Sequence, residues 1–352
     1  MRIFRFLFFG GVLFLGSSAL YAQNYLQKAI EYLDAGDCDM AKLAYDNYKL
    51  EHPQGNAEVE RRIEKCKGDS PTGISPTATT SPANQEFTVN GIAFNMVYVE
   101  GGTFTMGCTS EQGNDCDGDE RPAHKVTLSG FYMGETEVTQ GLWRAVMDNE
   151  PYSGAWTDEY GRGISYPAYS VSWDDCQEFV RKLNRLASDQ LPAGWHFALP
   201  TEAQWEYAAR GGNQSRGYKY SGSNNIEEVA WFWRNSGDRN LADNDSDLCW
   251  QKLDANHCKI HPVKRKQPNA LGLYDMSGNV VEWCKDVSDD SYYEVSPSTN
   301  PQGPVATEFS GRVLRGGAWC GDARGCRVSA RGGAKPHFRC NAYGFRLVLV
   351  QQ

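Results

Sequence analysis

The sequence is poor in several features that would point to common function classes. Basic residues are outnumbered, with 35 Lys and Arg against 44 Asp and Glu and a formal net charge of −9. A nucleic-acid binder needs a basic face to neutralise phosphates, so the bulk balance argues against that partner. Histidine is scarce: His52, His124, His196, His257, His261 and His337 are scattered. The chain has no serine–histidine nucleophile signature and no glycine-rich phosphate cradle. Long apolar runs are missing except at residues 6–15, and no other segment is apolar enough to span a bilayer. Internal repeats are absent from the large C-terminal region.

The one apolar run reads as a processing signal. Arg2 and Arg5 give a short basic start, the run is short for a membrane span, and residues 17–22 offer small side chains before a cut after Ala22. Residues 1–22 therefore read as a signal peptide and the protein as exported, to a periplasm, a cell envelope or the medium; an uncleaved anchor is the alternative. No transmembrane segment is expected in the mature chain. All 11 cysteines follow Ala22. In an oxidising compartment many should pair, and the odd count leaves one over. Close-set candidates are Cys108 with Cys116, Cys249 with Cys258, and Cys38 with Cys66.

Residues 23–67 read as a small helical hairpin. Leu26, Ile30 and Leu33 recur at helical spacing, Ala35-Gly36-Asp37 breaks the run, and Ala41, Ala44, Tyr45 and Tyr48 mark a second helix. The pattern looks tetratricopeptide-like, and one such repeat is too small to be stable alone. It reads as a docking module for a protein or peptide partner, or as a spacer. Residues 68–86, rich in Ser, Thr and Pro, read as a linker.

Residues 87–352 alternate short strand-like runs with glycine-, asparagine- and aspartate-rich loops. Strands are expected over 92–99 and 124–133. Helices are expected over 171–186, with Asp174 in the first turn, and from Thr201, as cap, to Gly211-Gly212. This is an α+β domain dominated by loops. His257 and His261, with Cys249 and Cys258 nearby, have a spacing that zinc can use. The surrounding loop reads instead as solvated, with a disulfide and two surface histidines.

Eight phrases carry a resemblance to a known family. In order they are NMVYVEGGTFTMG (95–107), PAHKV (122–126), FYMGETEVTQ (131–140), PAYSVSW (167–173), LPTEAQWEYAARG (199–211), NALGLYDMSGNVVEW (269–283), RVLRGGAW (312–319) and GFRL (344–347). Together they resemble the sulfatase-modifying factor family, whose fold is that of the formylglycine-generating enzymes. The resemblance implies a loop-rich variant of the C-type lectin fold. Most of these residues read as scaffold: Trp205, Tyr207 and Trp283 as buried aromatics, and Arg210, Arg315 and Arg346 held by Glu202, Glu206 and Glu282.

Two sites follow from the resemblance. The first is calcium, held by the side chains of Asp275 and Glu282 and the carbonyls of Gly278 and Val280. Hard oxygens from one tight loop suit that ion. The second is copper(I), held by two thiolates, here Cys320 and Cys326, as the catalytic pair of an oxidoreductase that turns a sulfatase cysteine into formylglycine. Soft sulfur suits copper(I). The sequence departs from the active pattern, because five residues separate Cys320 from Cys326 where the enzymes have four, and Ala318 replaces a serine. A disulfide linking either one to the other, to Cys284 or to Cys340 is the competing reading. Two functions follow: a non-catalytic binding or structural member at the cell envelope, or the copper-dependent oxidoreductase.

Overall fold

The structure, a computed structural model, describes residues 54–68, 82–242, 244, 248–308 and 310–351, with scattered helical positions between residues 26 and 48. The chain forms two compact units, residues 1–79 and 80–352. In the smaller one, Ala29, Ala41, Tyr45, Val59 and Ile63 are buried together. Its helix Ala57–Gly68 carries Glu58 and Glu60 in the first turn, where the helix dipole favours acid. The signal peptide expected over 1–22 lies outside the described residues, as does most of the hairpin and of the linker. Cys38 and the Cys66 side chain lie outside them as well.

The larger unit is α+β, with short strands, few helices and long connections. Strands β1 (Gln85–Val89) and β2 (Ile92–Val99) form a hairpin. Asn90 and Gly91 turn it, both at positive φ, which is the backbone an Asn-Gly turn supplies. The single strand expected over 124–133 is instead two. β4 (His124–Leu128) pairs with β3 (Gly102–Met106), while β5 (Phe131–Gly134) pairs with β2. The chain changes sheets at Gly130, where a Cβ would lie 2.5 Å from the Tyr98 hydroxyl.

The main sheet is completed by β6 (Trp195–Ala198) and, far along the chain, β13 (Val348–Gln351), in the order β1-β2-β5-β13-β6. The remaining strands are β7 (Ala230–Trp231), β8 (Ser277–Gly278), β9 (Val281–Ser288), β10 (Gly311–Arg315), β11 (Arg331–Ala334) and β12 (Tyr343–Gly344). They make a four-stranded sheet, β11-β10-β9-β12, and the short parallel pair β7-β8.

Helix starts follow capping chemistry. Ser172 Oγ accepts the Asp175 N–H at 3.1 Å and Asp175 accepts the Ser172 N–H at 2.8 Å, opening helix Trp173–Leu186. Thr201 and Gln204 do the same for helix Glu202–Ala209. Each is a reciprocal box satisfying two orphan donors. Helix Gln140–Met147, capped by Thr139, was not expected; it buries Leu142, Trp143 and Val146. Trp143 stacks on Phe179 with centroids 5.4 Å apart and meets Phe345 edge-on, joining both long helices to the GFRL phrase. Among the described residues no helix is long and apolar enough to cross a membrane.

Candidate functional site

Buried charge organises the larger unit. The three arginines read from the sequence as scaffold sit on the expected carboxylates. Arg210 pairs with Glu206, Arg315 with Glu206 and Glu202, and Arg346 with Glu282. Two further pairs join them: Arg331 on Glu202 at 2.6 Å and Arg327 on Glu120 at 2.5 Å. Ser329 also donates to Glu120. Burial alone would raise the Glu202 carboxyl, but Arg331 and Arg315 hold it below its ordinary value. Glu120 is held down in the same way by Arg327 and Ser329. Asp286 is the exception. Burial, and then the neighbouring Glu202 charge, push it up to about 7, and it accepts the Glu202 N–H at 3.0 Å. These pairs fasten the loop before β4, the helix Glu202–Ala209 and strands β10 and β11 into one body. Breaking a pair of this kind leaves an uncompensated charge in the interior.

The segment carrying Asp275, Gly278, Val280 and Glu282 lies against β7 and enters β9. Asp275, Gly278 and Asn279 all have positive φ. Gly278 admits no larger residue, since a Cβ there would lie 2.2 Å from the Trp231 carbonyl oxygen. Asn279 ties four segments together. Its N–H donates to Trp231 O, its carbonyl accepts from Trp319 N–H, and its amide bridges Glu137 and the His261 backbone. His261 lies flat on the Trp231 ring, centroids 3.7 Å apart, and burial pushes its imidazole down to about 4.

Asp275 and Glu282 are both buried. Asp275 Oδ2 accepts the Lys264 N–H at 2.8 Å. Glu282 accepts from Arg346 through both oxygens and from Trp205 Nε1 at 2.7 Å. A third carboxylate, Glu137, is fully enclosed beside them. Its Oε1 accepts from Asn279 at 3.2 Å. Its Oε2 has no hydrogen-bond partner among the described residues. Burial raises Glu137 well above its ordinary value, with Asp275 and Glu282 adding to the rise. Burial likewise lifts Asp275 to about 6. Glu137 was missed as a site residue in the sequence. Its signal was present, an acid inside the TEVT phrase, but nothing local distinguishes it from Glu135, which holds Lys264 at 2.9 Å.

Cys108 and Cys116 form a disulfide, as their spacing suggests. Cys249 and Cys258 do not pair. Cys249 is exposed, while Cys258 turns inward and its thiol donates to Trp233 O at 3.4 Å. His257 is on the surface against Asp238, and His261 Nε2 meets Ser236 O at 2.9 Å. Among the described residues no three His, Cys, Asp or Glu side chains converge as a metal cluster.

Cys320 and Cys326 lie in a run of turns after β10. Cys326 is fully buried, and a Cβ on Gly317 would lie 2.7 Å from its sulfur. Its carbonyl accepts from Ser277 Oγ at 2.8 Å. Cys320 is partly exposed. Burial pushes its thiol up to about 12, and the neighbouring thiols of Cys340 and Cys258 act on it as well. The Trp319 indole donates to the Asn341 carbonyl at 3.4 Å, which joins the two cysteine-bearing segments. Cys284 is buried within β9, with its thiol raised by burial and then by Asp286.

With this geometry in place, comparison with known proteins places the chain. A family model described as the sulfatase-modifying factor enzyme 1-like domain matches residues 81–350. The chaperone protein LppX of Paenibacillus barcinonensis is 32% identical over 270 residues, covering 68% of this chain and 84% of that protein. The formylglycine-generating enzyme of Streptomyces coelicolor is 30% identical over 307 residues, covering 71% and 87%. Among solved structures, Treponema denticola variable protein 1 aligns with a TM-score of 0.60 at 31% identity, covering 76% of this chain and 99% of that one. The chain belongs to the sulfatase-modifying factor family and carries the formylglycine-generating-enzyme fold.

Proposed function

We propose that this protein is an exported, non-catalytic member of its family, a binding or structural protein of the cell envelope built on a calcium-supported scaffold. The enclosure of Cys326 carries the reading. A copper(I) site of two thiolates that also receives a substrate cysteine needs both sulfurs open to one groove. Cys326 is instead packed against Gly317, and the thiols acting on Cys320 are those of Cys340 and Cys258. A thiol held near 12 is protonated at neutral pH and is a poor nucleophile or ligand until something displaces that proton. Two of the proteins it resembles, a chaperone and a variable protein, also favour a role outside oxidation. Fold alone does not assign activity.

The calcium part rests on charge. Glu137, Asp275 and Glu282 are buried and interact with one another, and Arg346, bonded to Glu282, acts on all three. The bare Glu137 Oε2 is the kind of orphaned acceptor that a hard cation relieves. Asp275 and the carbonyls of Gly278 and Val280 would hold the ion, and Glu282 would join them by giving up a bond from Arg346 or Trp205. Bound there it would supply fixed positive charge to a carboxylate-rich interior. Export rests on the signal-like N-terminus and the Cys108–Cys116 disulfide.

The second reading, copper-dependent oxidation of a sulfatase cysteine, is favoured by the match to the Streptomyces coelicolor enzyme across most of both chains. Copper(I) titration of the full chain separates the two, with Cys320→Ser as control. The expected result is no stoichiometric copper binding that the substitution removes, and no oxygen consumption with a sulfatase-motif peptide. Tight binding lost in Cys320→Ser, with oxygen uptake, overturns the non-catalytic reading.

A further inference from the structure

Trp250 is 62% exposed, one of the few large apolar side chains left in water. Its ring meets that of Trp319 with centroids 6.4 Å apart and planes at 66°. Trp319 in turn meets Tyr160 at 5.9 Å and 45°. Trp319 is buried, so it forms the floor, with Trp250 and Tyr160 as walls, of a cavity of about 270 Å³. Asp158, Glu159 and Asp254 line the same cavity. Glu159 and Asp254 both act electrostatically on the Tyr160 hydroxyl. Lys259 and His257 lie at the rim, and His257 is committed to Asp238 at 2.6 Å. Trp319 is almost fully buried and donates its N–H to the Asn341 carbonyl, so it backs the cavity while the exposed Trp250 offers the open ring face.

The chemistry of this lining is selective. Aromatic faces are the negative side of the ring quadrupole and attract cations. Three carboxylates against one lysine add to that field and disfavour anions. The volume is below the ~300–1,000 Å³ of sites for drug-sized ligands, so it suits a head group. We propose that this cavity is a binding site for an alkylammonium group, carried by a small molecule or by the side chain of a peptide lysine. The assignment goes beyond the reading of the cysteines and holds whichever way they behave.

Calorimetric titration of the full chain with choline, its uncharged isostere 3,3-dimethylbutan-1-ol and N-acetyl-lysine amide tests it. At least one of the two cations is expected to bind in the roughly millimolar range or tighter, and the isostere to bind at least tenfold more weakly. Trp250→Ala, at a mostly exposed position, should weaken the cation about 5- to 30-fold. Asp254→Asn should weaken it and flatten its salt dependence. Preference for choline assigns a free quaternary ammonium ligand, and preference for the lysine derivative a peptide side chain. Equal binding of cation and isostere, no binding of either cation, or an undiminished affinity in Trp250→Ala overturns the proposal.

Discussion

Two buried charge clusters in the same unit differ in their balance. Around the helix Glu202–Ala209, the carboxylates of Glu120, Glu202 and Glu206 face Arg210, Arg315, Arg327 and Arg331. Around Asn279, the carboxylates of Glu137, Asp275 and Glu282 are set against Arg346. The first cluster is nearly closed: Glu120, Glu202 and Glu206 are each met by a guanidinium, Asp286 alone is not, and the result is scaffold. The second is short of positive charge, and one carboxylate oxygen is left bare. A protein interior tolerates such a deficit only by protonating an acid or admitting a cation. The comparison therefore separates residues that hold the fold from residues that await something.

The sharpest way to break the comparison is to open the closed cluster. Arg315→Ala strips the buried Glu206 Oε2 of its guanidinium, with Arg210 left on the other oxygen and Arg331 on Glu202, and should cost about 3–5 kcal/mol of stability, read by urea denaturation. A loss under about 1 kcal/mol means the pairs are solvated and the cluster is not structural. Next in size is the response of the open cluster to calcium. At a hundredfold excess over Kd, an ion bound to the folded state adds about 2.7 kcal/mol, visible as a rise in Tm reversed by EDTA. Asp275→Ala should abolish that rise. A rise that survives the substitution moves the ion elsewhere.

The pH dependence of Asp286 comes third. Its folded value, about 7, is raised above the ordinary 3.8. The stability tied to this group is thus fully present below about 3.8 and lost as pH climbs through 7. Asp286→Asn removes that loss while keeping an acceptor for the Glu202 N–H. The variant should therefore gain on the parent from pH 4 to 7 and stay ahead above it, by on the order of 2 kcal/mol. Parallel stability curves for the two proteins refute the assignment. Smallest is Glu137→Gln, which should stabilise the calcium-free protein by about 1 kcal/mol, because it removes one of three crowded acids without changing shape.

Much of this was legible in the chain. The Thr201 cap and Asp174, in the first turn of helix Trp173–Leu186, are local chemistry, and local chemistry survives into the fold. The arginine pairs were readable because buried guanidinium requires carboxylate, and the family phrases supply both. The cysteines were less readable. Cys249 and Cys258 are close in sequence, yet Cys258 is drawn inward by the Trp233 carbonyl while Cys249 stays in solvent. The break between β4 and β5 depends on Tyr98 reaching Gly130, a contact between residues far apart in sequence. The aromatic cavity was invisible for the same reason, since Tyr160, Trp250 and Trp319 come from three segments far apart in the chain.

The position of β13 has a consequence for how the larger unit is made. This strand lies between β5 and β6, which precede it by most of the domain, and it hydrogen-bonds to both. Until it is available, β5 and β6 each present an unpaired edge, a template for the wrong partner. An unfinished polypeptide on the ribosome would carry that hazard from the emergence of β5 until β13 is made. A nick that releases this strand would return the mature protein to the same condition, with two adhesive edges facing an empty slot.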